Sequence, residues 1–250
     1  MNARRVVGVI GGMGPDATVD FFAKLVAATR AASDQEHLRI VIDNDPGVPD
    51  RTAAIEGRGE SPAPRLSAMA RGLVAQGAEL LVMPCNSAHA FAAAVREAAA
   101  PVPFIDLIET TVAATHERLP GVAAVGLLAT DGALAARLYQ DAYEAAGIRA
   151  LVPLGDDQRT VMDAIYAVKR GSVMRGSAHH GAVDDAVRAR LRLVAERLAA
   201  AGAEAIVAAC TEIPLLLAEG DVRHEGGALP FVSSTDELVR RTLAEASAGG

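Results

Sequence analysis

Short apolar and β-branched runs alternate along this chain with longer alanine-rich stretches, whose apolar positions recur every three or four residues. The short runs predict strands at Arg5–Ile10, Arg39–Ile42, Leu80–Met83, Phe104–Ile105, Ala123–Leu128, Arg149–Leu151, Ala205–Ala208 and Phe231–Val232. The longer ones predict helices near Ala17–Ala32, Pro64–Gln76, Ala88–Ala99, Ile108–Arg118, Ala133–Ala146, Gln158–Arg170, Asp184–Ala201 and Thr235–Ala246. Strands alternating with helices along most of the chain imply an α/β fold with mainly parallel sheets flanked by helices. Such sheets bind ligands at the carboxyl ends of their strands, so each loop after a strand is a candidate site.

One passage is echoed. "RGLVAQGAELLVMPCNSA" in the first half resembles "ERLAAAGAEAIVAACTEI" in the second. Each reads as an amphipathic helix, a Gly-Ala-Glu turn, an apolar strand and a cysteine followed by a small polar residue. Gly77 and Gly202 are the expected helix C-caps. The echo predicts two pseudo-symmetric lobes and sets the chain's two cysteines, Cys85 and Cys210, at corresponding strand ends.

Composition narrows the chemistry. The 250 residues carry a net charge of −7, with eight aromatic residues and no Trp. Nucleic acid calls for a basic surface and stacking rings, so it is not an expected partner. No apolar run reaches the length of a membrane span, and "MNARRVVGVIGG" reads as a first strand rather than a leader. A soluble, cytoplasmic protein is expected. Two cysteines 125 positions apart form no metal-ligand spacing, nor do His179 and His180 in "RGSAHHGAVDD", so no metal is expected.

Four strand ends carry candidate chemistry. In "VVGVIGGMGPDAT", Gly12, Gly14 and Ala17 match the G-x-G-x-x-A dinucleotide pattern, with Asp43 at the end of the next strand. The glycines equally serve a tight turn, and the N–H groups around Met13 and Gly14 suit a carboxylate as well as a pyrophosphate. In "IVIDNDPGVPDRT", Arg51 offers a planar guanidinium for a bidentate grip on a carboxylate. In "PCNSAH" and "ACTEIP", each cysteine precedes a helical start that can lower a thiol's pKa. Asn86, Ser87 and Thr211 are short polar groups suited to an α-carboxylate. Two thiols on opposite walls of one cleft would suit inversion of a carbon stereocentre, one removing a proton and the other delivering one. His89 lacks the further groups of a Cys–His protease and is expected to pack near the motif. Glu212 is expected either to stay solvated or to orient its loop.

Together, "GGMGPDAT", "NDPGVPDRT", "MPCNSAHAF", "GLLATDGA…LYQ", "AIYAVKRG" and "AACTEIPLLL" resemble the aspartate/glutamate racemase family, in particular its aspartate racemase branch. The resemblance spans most of the chain. It implies a cofactor-independent enzyme with two α/β lobes, usually dimeric, whose active site lies in the cleft between them. By position, it implies Cys85 and Cys210 as the catalytic pair, Arg51 and Lys169 near the substrate's side-chain carboxylate, and Thr130 in the site. The chain has only two lysines, Lys24 and Lys169, so a lysine kept at 169 fits a need for a compact ammonium. Ala133, Ala209 and Ser233 depart from the family pattern and bear on substrate preference. The lobes are expected to comprise residues 1–106 with about 214–250, and about 107–213. Racemisation of L- and D-aspartate is the expected activity. Glutamate or broader racemisation, a hydantoin racemase, a maleate isomerase and a non-catalytic amino-acid-binding protein remain alternatives.

Overall fold

The structure is a computed structural model that describes residues 4–170 and 182–248. The chain divides into two compact units. One runs to Thr110 and resumes at Thr235; the other covers Thr111–Ser234.

The first unit starts with β1 (Val7–Gly11) and α1 (Pro15–Ala28), then β2 (Ile40–Asn44). A short α2 (Arg51–Ile55) and α3 (Ala63–Ala75) lead into β3 (Leu80–Val82). After a 3-10 turn at Ser87–Phe91 come α4 (Ala92–Ala99) and α5 (Leu107–Arg118), which carries the chain into the second unit. The sheet order is β2-β1-β3, all parallel, with Val7 opposite both Ile40 and Leu80. The expected strand at Phe104–Ile105 reduces to one parallel bridge from Phe104 to Leu81. Pro101 and Pro103 lead into that segment, and proline contributes no ladder N–H.

The second unit opens with β4 (Ala124–Ala129), α6 (Asp131–Ala135), α7 (Leu138–Ala145) and β5 (Arg149–Leu151). It continues with α8 (Asp156–Lys169), α9 (Ala182–Ala200) and β6 (Ala205–Ala209). A small hairpin of β7 (Arg223–His224) and β8 (Gly227–Ala228) precedes β9 (Phe231–Ser233). The main sheet is parallel, ordered β5-β4-β6-β9. The helix expected over Ala133–Ala146 breaks at Arg137, whose φ is 52°. The final α10 (Ser234–Ala248) packs Leu238, Val239 and Ala246 against Val7, Phe21 and Leu25 of the first unit's core. The return to the first unit therefore falls at Thr235 rather than near 214, because Phe231–Ser233 pair with Ile206–Ala208 of the second sheet.

The echoed passages perform matching structural work. Glu79 Oε2 accepts the N–H of Val6 (2.8 Å), just before β1, and Glu204 Oε2 accepts that of Ala123 (3.3 Å), just before β4. On the neighbouring central strands, Gly8 is paired with Leu81 and Gly126 with Ile206. A Cβ on Gly8 would lie 2.5 Å from Leu81 and 3.3 Å from Leu73 of α3; one on Gly126 would lie 2.9 Å from Ile206 and 3.0 Å from Leu198 of α9. Leu73 and Leu198, like Leu81 and Ile206, are 125 positions apart, as are the cysteines.

Gly8→Ala should overpack this contact and cost about 1–3 kcal/mol. Gly72→Ala, on α3, places its Cβ where nothing lies within 4 Å. It should stabilise by about 0.5–1 kcal/mol, through the better helix propensity of Ala. Thermal unfolding would register these as shifts of opposite sign, about 2–4 °C per kcal/mol.

Candidate active site

In the first unit the site forms where β1 and β3 end. Gly12, with φ 95°, leaves no room for a side chain, since a Cβ would fall on the backbone of Asp45. Its N–H donates to Thr18 Oγ1 (2.9 Å), whose hydroxyl in turn donates to the Gly14 carbonyl (3.2 Å). Gly14 caps α1, with Pro15 in the first helical turn. These glycines thus serve chain packing, which accounts for the nucleotide-like spacing without a nucleotide.

The turn aims the Met13 carbonyl at two donors. The Cys85 thiol donates to it at 3.4 Å and the Arg51 guanidinium at 3.5 Å. Arg51 is the first residue of α2, capped by Asp50, which accepts the Ala53 N–H (2.8 Å). Its guanidinium also donates to the Val48 and Pro49 carbonyls (3.1 and 3.0 Å), while its buried Nε has no partner. Ser87 Oγ lies 3.8 Å from the Cys85 sulfur, and Asn86 is buried beside it. Expected from sequence as separate contributors, Met13, Gly14, Arg51, Cys85, Asn86 and Ser87 make one local cluster.

His89 holds this loop from behind. Leu107 N–H donates to its Nε2 (3.0 Å), so the proton sits on Nδ1, which donates to the Cys85 carbonyl (2.8 Å). Burial pushes the imidazole pKa below its ordinary value, with nearby Asp106 opposing. Both ring nitrogens are committed, so His89 has nothing left with which to take a substrate proton.

In the second unit Cys210 follows β6 directly and is buried. Its thiol donates to Glu212 Oε2 at 2.9 Å, and Thr211 Oγ1 donates to the same oxygen at 3.3 Å. Lys169, at the end of α8, holds the other oxygen, Oε1, at 2.6 Å. Glu212 is only 2% exposed, so it is an internal carboxylate and not a solvated one. Sequence reasoning passed over its contact with the thiol; the spacing of Cys210 and Glu212 around a tight 3-10 start was the available signal. Lys169 and Thr211, expected to face substrate, are both engaged with Glu212. Burial foremost, then the Glu212 charge, pushes the Cys210 thiol well above its ordinary pKa, while Lys169 pulls the other way. Cys210 therefore rests as a thiol.

Thr130 caps α6, accepting the Ala133 N–H at 3.2 Å, and Gln158 donates to the Ala129 carbonyl beside it (3.1 Å). Ala209 ends β6 opposite Ala129, and Ser233 ends β9 opposite Ala208. Thr130, Ala209 and Ser233 thus mark the carboxyl ends of three neighbouring strands. His179 and His180 lie outside the described residues. Among the described residues no cluster of His, Cys, Asp and Glu could hold a metal ion, and no helix is long and apolar enough to cross a membrane.

A family model described as Asp/Glu/Hydantoin racemase matches residues 10–242. The chain belongs to that family. Its enzyme class is that of the amino-acid racemases, isomerases whose family chemistry fits catalysis without pyridoxal phosphate. Among solved structures, an aspartate racemase from Picrophilus torridus is 28% identical, with a TM-score of 0.81, over 97% of this chain and 94% of that one. A glutamate racemase from Deinococcus radiodurans is 34% identical over 71% of this chain, which spans only 57% of that enzyme's length. A Bacillus subtilis broad-specificity amino-acid racemase, RacX, is 23% identical over 95% of this chain and 96% of that one.

The charges around Cys210 make a testable pair of opposite signs. Glu212→Gln removes the carboxylate's repulsion and should speed alkylation of Cys210 by iodoacetamide at a fixed pH between 7 and 9. Lys169→Met removes the stabilising ammonium and should slow it. The alkylated peptide is followed by mass spectrometry, and a change of the same sign in both variants would contradict this electrostatic picture.

Proposed function

We propose that this protein racemises aspartate without a cofactor, using Cys85 and Cys210 as the proton-transfer pair. The observation that carries this reading is the equivalence of the two thiols. Each follows a buried strand whose partner strand holds a glycine under a leucine, and from one unit to the other the two leucines, like the two cysteines, are 125 positions apart.

Inversion requires the two groups to act on opposite faces of the α-carbon. In one direction, the Cys85 thiolate takes the α-proton and becomes a thiol. The electron pair left behind passes into the adjoining carboxylate, and Cys210 delivers its proton to the other face, becoming a thiolate. The reverse reaction exchanges the roles. The raised Cys210 pKa suits the acid that this direction needs. Glu212 can accept the Cys210 proton, through the hydrogen bond it already receives, when that sulfur must serve as base.

Acidic-substrate preference rests on Arg51. Its guanidinium shares the Met13 carbonyl with the Cys85 thiol, and its Nε keeps a donor to spare. A carboxylate held there lies close to the thiol, which suits a short acidic side chain. Glutamate is the second reading, supported by the likeness to the Deinococcus enzyme.

The purified protein, without pyridoxal phosphate, should equilibrate L- and D-aspartate and incorporate solvent deuterium at the α-carbon. Cys85→Ala and Cys210→Ala should each abolish racemisation. Losing a charged hydrogen bond worth about 1.5–3 kcal/mol, Arg51→Ala should lose roughly 10–100-fold in kcat/KM on aspartate, with neutral amino acids little affected. Polarimetry and proton NMR on aspartate, glutamate and alanine check all of this. Racemisation surviving in the double cysteine variant would end the two-thiol mechanism, and faster turnover of glutamate would transfer the reading to that substrate.

A further inference from the structure

We propose that His89 is a positioning residue, whose ring fastens the carbonyl of Cys85 to the first N–H of α5 and thereby fixes where the Cys85 sulfur lies. The inference rests on the reading of Cys85 as a proton-transfer group.

Three features of the geometry support it. First, the Cys85 backbone is fixed at both ends: its N–H donates to the Met83 carbonyl (2.8 Å), and its carbonyl accepts from His89 Nδ1 (2.8 Å). The sulfur reaches Met13 from a residue thus held on either side. Second, His89 N–H donates to the Asn86 carbonyl (3.0 Å), so backbone and ring of one residue close the same turn over consecutive carbonyls. Third, the far side of the ring accepts the first N–H of α5. The first N–H groups of a helix are orphans. In α5, Asp106 Oδ1 accepts those of Ile108 (2.8 Å) and Glu109 (3.1 Å), and His89 Nε2 accepts that of Leu107 (3.0 Å).

The surroundings keep the ring in place. Phe104 lies 5.5 Å from it, centroid to centroid, and carries Arg96 at 5.6 Å from its own centroid. Arg96 also donates to Asp106 Oδ2 (2.5 Å). The charges of Arg96 and Asp106 are thereby paired with each other, and burial foremost favours the neutral imidazole, which donates on one side and accepts on the other.

Two conservative variants separate the two ends of the ring. His89→Asn places an amide N–H near Nδ1 and keeps the bond to Cys85, but loses Leu107. His89→Gln reaches the position of Nε2 and accepts from Leu107, but leaves the Cys85 carbonyl unheld. Misplacing a reacting group by about 1 Å costs up to about 100-fold in rate. The expected result is a split: His89→Asn lowers Tm yet keeps kcat within severalfold, while His89→Gln holds Tm and loses roughly 10–100-fold in kcat on aspartate with KM little changed. A purely structural histidine would instead make kcat follow Tm in both variants, and that result, or equal kcat in both, overturns the proposal.

A second arm is independent of the substrate. Iodoacetamide should alkylate Cys85 severalfold faster in His89→Gln than in His89→Asn, because the loop is released, while Cys210 keeps its rate in both. If the wild type racemises no amino acid, the functional reading fails while the alkylation contrast still decides the positioning. Equal alkylation of Cys85 in the two variants overturns it.

Discussion

Much of this structure depends on a leucine resting on a strand that has no side chain beneath it. Leu73 over Gly8 and Leu198 over Gly126 bring helix and sheet closer than any other residue on the strand would allow. A contact this tight tolerates little sliding, because packed interiors leave few voids and resist overpacking. It sets the register between each helix and the central strand, and the short turn through Gly77 or Gly202 transmits that register to the next strand. The cysteine after that strand inherits its position from the leucine before it. That constraint, built twice, makes the two thiols equivalent.

The settings around the thiols differ, and the difference is electrostatic. Cys85 donates to a neutral carbonyl that also receives a guanidinium. Cys210 donates to a buried carboxylate whose charge is balanced by Lys169. A buried carboxylate without a cation would carry a large desolvation cost, and Lys169 supplies Glu212 with that cation. The scarcity of lysine in the chain takes on physical meaning here. Its ammonium is a compact charge at the end of α8, on one oxygen of a carboxylate whose other oxygen serves the sulfur and the Thr211 hydroxyl. A planar guanidinium in the same space would compete for both oxygens.

Much of the architecture was legible because it is written in local periodicity. The alternation of apolar runs and amphipathic stretches located the strands and most helices to within a few residues. What escaped depended on pairing between distant segments. Assignment of Phe231–Ser233 to the second sheet rests on its ladder with Ile206–Ala208, and no local pattern displays that. The β7–β8 hairpin was too short for periodicity, although its turn residues Glu225 and Gly226 both have positive φ, as a tight hairpin demands. At the site, Cys85, Cys210 and Arg51 stood out by residue type and by their place after strands. Glu212 did not, since a carboxylate two residues beyond a cysteine looks the same in sequence whether it faces water or sulfur.

Two symmetric scaffolds with unlike polar settings suit a reaction whose substrate and product are mirror images but whose contacts need not be. In the proposed reaction, equal placement of the thiols would serve the symmetry of the chemistry, since either face of the carbon must be reachable by a group of the same kind. Recognition in the same proposal has the opposite requirement: one end of an amino acid differs from the other, and a single guanidinium would suffice to mark it. Duplicating the backbone while letting the side chains beyond each cysteine diverge meets both demands. The tightly packed glycine–leucine contacts tolerate little change, whereas polar residues in the loops and helix ends near each cysteine lie outside that packing. Arg51 beside Cys85, and Lys169 with Glu212 beside Cys210, occupy that freer ground.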